Sequence, residues 1–244
     1  MNTQSESRDK NLNSDNATGR VLVWDIPVRL FHWLMVLSFA GAYLSAESER
    51  WRLLHVTLGY TLAGLVIFRI LWGFVGTRYA RFSNFVRGPK AVARYVGTLL
   101  HKQPEHHTGH NPAGALAILG ILGLALLVAV SGWAVYNDVG GDWFEEAHEF
   151  AANAMLAIVG IHIAGVLVSS WMHRENLIGA MFSGRKTGQP NDGIRRSWWS
   201  VAGVMLVLVL GFWWLQWNSA APLVGSTAGA ALSTGATDAD GDDD

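Results

Sequence analysis

Five apolar runs, separated by polar and charged connections, organise the chain: Val28–Ala46, Leu53–Phe74, Ala113–Tyr136, Phe150–Met172 and Trp198–Trp217. Each is near the ~20 residues that a helix needs to cross the hydrocarbon core of a bilayer. An open sheet cannot satisfy its backbone in lipid, so helix is the structure expected for all five. The first run is the shortest, and the second carries Arg69 near its end. The pattern predicts an all-α integral membrane protein with five spans.

Cationic residues alternate from one connection to the next. Arg8, Lys10, Arg20 and Arg29 precede or open the first span. The second-to-third connection carries Arg78, Arg81, Arg87, Lys90, Arg94 and Lys102, and the fourth-to-fifth carries Arg174, Arg185, Lys186, Arg195 and Arg196. The opposite side has only Arg50 and Arg52. Lys and Arg concentrate on the cytoplasmic side, which predicts a cytoplasmic N-terminus and a periplasmic C-terminus. Trp24, Trp33, Trp51, Trp72, Trp133, Trp143, Trp171, Trp198, Trp199, Trp213, Trp214 and Trp217 all fall near span ends. An interfacial aromatic belt accounts for nearly all of them.

Composition sharpens this. Half of the 244 residues are hydrophobic, 15% are charged, and there is no cysteine. Absence of cysteine excludes disulfides, thiolate-held clusters and CxxCH haem attachment, so any haem is non-covalent and b-type. Residues 1–20 are polar, contain no apolar signal core and are expected to be a disordered cytoplasmic tail. Residues 219–244, rich in Ala, Gly, Ser and Thr and ending in Asp242, Asp243 and Asp244, are expected to be a flexible acidic tail. No fixed-period repeat is present.

The chemistry lies in four histidines, His32, His55, His148 and His162, inside or at the ends of the spans. An imidazole in lipid needs a partner and is a functional candidate by default. With the topology above, His32 and His162 lie toward the cytoplasm, His55 and His148 toward the outer face. Fourteen residues of helix rise about 21 Å and return to within about 40° of the same face, so His148 and His162 point to one side of the bundle at two depths. His32 then meets His162, and His55 meets His148. Each pair is suited to clamp one iron, giving two bis-histidine b haems between helices. Four histidines around one ion are excluded by the same ~21 Å separation. Hydrogen-bonded bundle residues are the plainer reading, and matched depths argue against it.

Haem propionates need cations: Arg29 and Arg69 lie toward the inner pair, Arg50 and Arg52 toward the outer, although snorkelling arginines are common without any ligand. Gly59, Gly64, Gly114, Gly120, Gly123, Gly160 and Gly165 either permit close helix packing or leave room for a flat ring. His101, His106, His107 and His110 form a cluster read as a solvated loop, since nothing nearby completes a coordination shell. Asp138, Asp142, Glu145, Glu146 and Glu149 make a negative outer patch, an ordinary polar loop or a steering surface for a basic cytochrome. His173 and Glu175 are read as interfacial residues rather than a proton relay.

The stretch Val23-Trp24-Asp25-Ile26-Pro27-Val28-Arg29-Leu30-Phe31-His32-Trp33 resembles the opening signature of the bacterial cytochrome b561 family, which is similar to the cytochrome b subunits of membrane-bound nickel–iron hydrogenases. The resemblance continues through His55-Val56-Thr57-Leu58-Gly59-Tyr60, Phe68-Arg69-Ile70-Leu71-Trp72-Gly73-Phe74, His148-Glu149, His162-Ile163-Ala164-Gly165-Val166 and His173-Arg174-Glu175-Asn176-Leu177. It covers about residues 20–186 and implies a four-helix di-haem bundle exchanging electrons between membrane quinone and a redox partner, with ligands at the same four histidines. The fifth helix departs from that core.

The expected organisation is a di-haem domain over 21–186, an additional transmembrane helix over 187–218 and the tail. The expected function is electron transfer between a redox partner and quinone in the bacterial inner membrane, as a quinone oxidoreductase or as the membrane subunit of one. The partner is a periplasmic c-type cytochrome or a hydrogenase-like subunit; no nucleic acid is involved. The rival is a non-redox proton or metal transporter using the intramembrane histidines, which the absence of a proline-broken span disfavours.

Overall fold

A computed structural model describes residues 19–86, 88–100 and 109–234. The expected N-terminal tail up to residue 18, Arg87, His101, Lys102, His106, His107 and the last ten residues of the acidic tail lie outside the described residues.

A short strand β1 (Gly19–Leu22) leads into helices α1 (Ile26–Ser45) and α2 (Arg52–Val75), then α3 (Phe82–Phe85) and α4 (Pro89–Leu100). Helices α5 (Pro112–Tyr136) and α6 (Asp142–His173) follow, then α7 (Leu177–Ser183), β2 (Arg185–Gly188) and α8 (Trp199–Thr234). Among the described residues five helices are long and apolar enough to cross a membrane: α1, α2 with its preceding turn, α5, α6, and α8 over Trp199–Ser219. The protein is a mostly helical, multi-pass membrane protein.

Capping explains several boundaries. Asp25 opens α1, its carboxylate accepting from Val28 N at 2.8 Å, and Asn111 does the same for α5 through Gly114 N at 2.6 Å. Each is followed by a proline in the first turn, where the missing N–H costs nothing. Arg174, at φ 50°, ends α6 in the left-handed region.

The fourth span differs from its sequence boundary. It begins at Asp142, not near Phe150, so Asp142, Glu145, Glu146 and Glu149 lie on helix rather than in a loop. Carboxylates at a helix N-terminus meet the positive end of the backbone dipole, so a polar run that is silent in hydropathy still extends the helix. Gly140 and Gly141, at φ 84° and 68°, make the turn that precedes it.

The chain divides into two units, Met1–Ala202 and Gly203–Asp244. In the first, α1 packs on α2, α2 on α5 and α5 on α6, and Tyr43 of α1 donates to Asn153 Oδ1 of α6 at 2.8 Å. One end is closed by a two-stranded antiparallel sheet in which Gly19 faces Gly188 and Leu22 faces Arg185. Val23, Trp24, Val28, Trp72, Tyr79, Ala80 and Ala180 form the buried apolar core of this cap. Gly184 is its clasp: its carbonyl accepts from Val23 N at 2.8 Å and Trp24 N at 3.0 Å. The second unit is the remainder of α8, whose helix continues to Thr234 through the start of the segment expected to be a tail.

Candidate functional site

His55 lies in the first turn of α2, beside the last turns of α1. Its Nδ1 donates to the Ala42 carbonyl oxygen at 2.8 Å. His148 lies near the start of α6, and its Nδ1 donates to the Val128 carbonyl oxygen of α5 at 3.0 Å, with Ser131 Oγ 3.3 Å away. Holding Nδ1–H on a carbonyl selects the tautomer whose Nε2 keeps its lone pair, the form that binds a metal. The two ring centroids are 6.1 Å apart. Gly132 makes room for the second ring: a Cβ there would sit 2.8 Å from His148 Cε1.

His32 and His162 occupy the level nearer the cap. They interact electrostatically, and His162 also interacts with His110. His32 differs from the other pair in that its Nδ1 is buried without a hydrogen-bond partner. Its ring lies 5.1 Å from Trp33, edge-on. The four histidines thus fall at two levels, as the fourteen-residue interval requires. Gly59, one turn below His55 on α2, is half-buried, yet a Cβ there would touch nothing within 4 Å. Close helix packing therefore does not account for this glycine; open space lies beside it.

Of the four candidate arginines, Arg69 is buried at 3% exposure, with its guanidinium 5.1 Å from the Phe82 ring and 5.9 Å from the Phe85 ring. Its Nη1 lacks a partner. Arg29 Nε donates to the Met181 carbonyl of α7 at 3.3 Å. Arg50 and Arg52 are exposed, Arg50 lying 5.8 Å from the Trp51 ring.

Two residues acquire roles that hydropathy and spacing do not reveal. Asp25 is fully buried and, besides capping α1, accepts from Trp72 Nε1 at 3.1 Å and Thr77 Oγ1 at 2.6 Å. One carboxylate therefore ties the start of α1 to the end of α2. The S/T/D/N–proline opening of a helix signals the cap, but nothing local signals the Trp72 and Thr77 bonds. His110, read as part of a solvated loop, is instead packed between Trp24 and Phe85, at 4.5 and 4.7 Å between centroids. Burial pushes its imidazole down to about 3, reinforced by Arg69, Lys186 and His162, so it is neutral at physiological pH. Loop polarity hides such a residue because the aromatic walls come from α3 and from the residue preceding Asp25.

Glu175 is engaged by Lys186 Nζ at 3.4 Å and by Thr187 N at 3.0 Å. That pairing fastens β2 to the end of α6 and accounts for Glu175 without a proton relay. Among the described residues no group of three or more His, Cys, Asp or Glu is arranged to hold a metal ion.

The prokaryotic cytochrome b561 family model matches residues 23–184. Among curated proteins, the probable Ni/Fe-hydrogenase B-type cytochrome subunit of Rhizobium leguminosarum bv. viciae is 27% identical over 211 residues, 68% of this chain and 88% of that protein. The probable Ni/Fe-hydrogenase 1 B-type cytochrome subunit of Escherichia coli K12 is 29% identical over 151 residues, 51% of this chain and 63% of that protein. The Cupriavidus necator protein of the same description as the first is 22% identical over 210 residues, covering 68% and 86%. No solved structure matches. The family match takes in α1 to α7 and with them all four intramembrane histidines: the chain belongs to the prokaryotic cytochrome b561 family and is a membrane-embedded b-type cytochrome of electron transfer.

Proposed function

We propose that this cytochrome carries two b haems, one between His55 and His148 and one between His32 and His162, and passes electrons between a hydrogenase-like redox subunit and membrane quinone. The observation that carries the reading is the pair His55–His148. Each ring is oriented by its own main-chain carbonyl, and the 6.1 Å between centroids suits a shared metal. Two metal–nitrogen bonds of about 2 Å, each with about 1 Å from nitrogen to ring centre, give about 6 Å.

A haem iron held there would supply one-electron chemistry, its potential tuned by His55 and His148 and by the hydrogen bonds to their rings. The chain's own contribution is to present neutral Nε2 atoms from opposed helices, to hold the rings still, and to exclude water with apolar side chains. The open space beside Gly59 on α2 is where a flat group would fit. Arg29 and Arg69 serve the inner propionates, Arg50 and Arg52 the outer. The di-haem domain spans 21–186, with α8 and the acidic tail appended, in the bacterial inner membrane with the N-terminus cytoplasmic.

The hydrogenase-like partner follows from relatives described as B-type cytochrome subunits of Ni/Fe hydrogenases. The negative start of α6 beside His148 also suits a basic c-type cytochrome as partner at that end. The test is a reduced-minus-oxidised spectrum of the detergent-purified chain with haem counted per polypeptide. Two b haems are expected, falling to one in His55→Ala, His148→Ala, His32→Ala or His162→Ala. A count of one in the unaltered protein, or variants that keep both, overturns the pairing. Reoxidation of the reduced protein by a soluble quinone analogue tests the quinone step.

A further inference from the structure

Among the buried side-chain nitrogens that meet no protein partner, two come together near the capped end, on Arg69 and on His110. Arg69 Nη1 and His110 Nδ1 are both buried, and neither has a hydrogen-bond partner among the described residues. They come from different elements, α2 and the loop before α5, and converge on one ring. The Arg69 guanidinium lies 5.9 Å and the His110 ring 4.7 Å from the centre of Phe85, which is itself 3% exposed. Leaving one buried donor unmet is destabilising, and leaving a buried charge unmet is more so. Two together, on a wall of Trp24, Phe82 and Phe85, mark a place built for a ligand.

The chemistry narrows the ligand. Arg69 is a buried cation, and among the described residues it forms no ion pair. Asp25 interacts with it electrostatically, but the Asp25 oxygens already accept from Val28 N, Trp72 Nε1 and Thr77 Oγ1. Lys186, the other nearby cation, is matched by Glu175. The partner that these groups lack among the described residues is therefore of one kind, an anion with at least two acceptor oxygens. A neutral carbonyl would leave the guanidinium charge uncompensated. His110, being neutral, adds a donor without setting a second cation against Arg69.

We propose that Arg69 and His110 form a two-point clamp for a carboxylate, supplied by a propionate arm of the haem at the His32–His162 level. The haem as source rests on the di-haem reading; the clamp rests on the two orphaned donors. His162 interacts electrostatically with both His32 and His110, which favours the haem of that pair over the outer one as the source. Arg69 supplies charge and His110 supplies direction, so the carboxylate is held ionised.

Redox-difference infrared spectroscopy of the full-length holoprotein, with haem carrying ¹³C at its propionate carboxyls, tests this. A label-sensitive carboxylate band is expected to move in both His110→Leu and Arg69→Leu and to return toward its original position in His110→Gln, which restores an N–H donor. Haem counted on the same samples keeps the two readings apart: a count that differs from two in the unaltered protein concerns the ligand pairs, not the clamp. A moving band that ignores the label, vanishes in chloride buffer and returns with acetate assigns the clamp to a free carboxylate. Label-sensitive bands unmoved in His110→Leu, or a moving band indifferent to both label and buffer, overturn the clamp. If Arg69→Leu does not yield folded protein, the His110→Leu and His110→Gln pair decides alone.

Discussion

Gly132 and His148 are in such close register that the glycine is part of how the histidine is held. A Cβ at 132 would sit 2.8 Å from Cε1 and 3.0 Å from Nδ1 of the ring, below ordinary contact. Gly132→Ala is therefore expected to push the imidazole off the Val128 carbonyl. In the holoprotein this should change or abolish one of two low-spin haem signals in electron paramagnetic resonance and leave the other intact; two unchanged signals would show that the ring tolerates the methyl. Asp25 makes a second prediction. Asp25→Ala removes a helix cap and strands the Trp72 indole N–H and the Thr77 hydroxyl in a buried core. The loss is about 2–4 kcal/mol, by summing a cap and one to two unmet buried donors, and is measured as a lowered thermal or denaturant midpoint in detergent.

Between neighbouring elements, the cap depends on a few short-range fastenings. Gly184 ends α7 at φ 76°, and a Cβ there would lie 2.7 Å from the Trp24 carbonyl oxygen. Any L side chain adds both strain and a clash with backbone, so Gly184→Ala should cost about 1–3 kcal/mol. It should also loosen the pairing of β1 with β2, read as faster amide exchange at Val23 and Trp24, which donate to Gly184. Protection unchanged from the parent protein would show that the clasp is not needed. The start of α6 shows where hydropathy is an incomplete guide. Residues 142–149 carry four carboxylates, which lower apolarity while favouring a helix N-terminus. The span was legible from Phe150 onward, whereas the two turns that carry Asp142 to Glu149 were not.

Across the chain as a whole, the division at Ala202 separates every histidine and arginine discussed above from Gly203–Asp244. Removing 203–244 is therefore expected to leave haem content per chain unchanged, measured by pyridine haemochrome on the truncated protein. Loss of a haem would assign the C-terminal unit a part in cofactor retention. The family match ends at residue 184, before α8 begins.

Local chemistry was enough to determine how many spans there are and what class of membrane protein this is, and it singled out four imidazoles as the candidate ligands, because each reading depends on composition or on helical rise. Twenty apolar residues suffice for a span, and an interval of fourteen sets two depths on one face whatever the neighbours are. Folding in three dimensions decided the rest. The carbonyls of Ala42 and Val128 become partners of His55 and His148 only after α1 meets α2 and α5 meets α6. Asp25 reaches Trp72 and Thr77 across about fifty residues of chain, at separations of 47 and 52. His110 leaves solvent only because Trp24 and Phe85 close around it. Hydrogen bonds and burial between segments distant in sequence have no period and no local composition, so no reading of consecutive residues contains them.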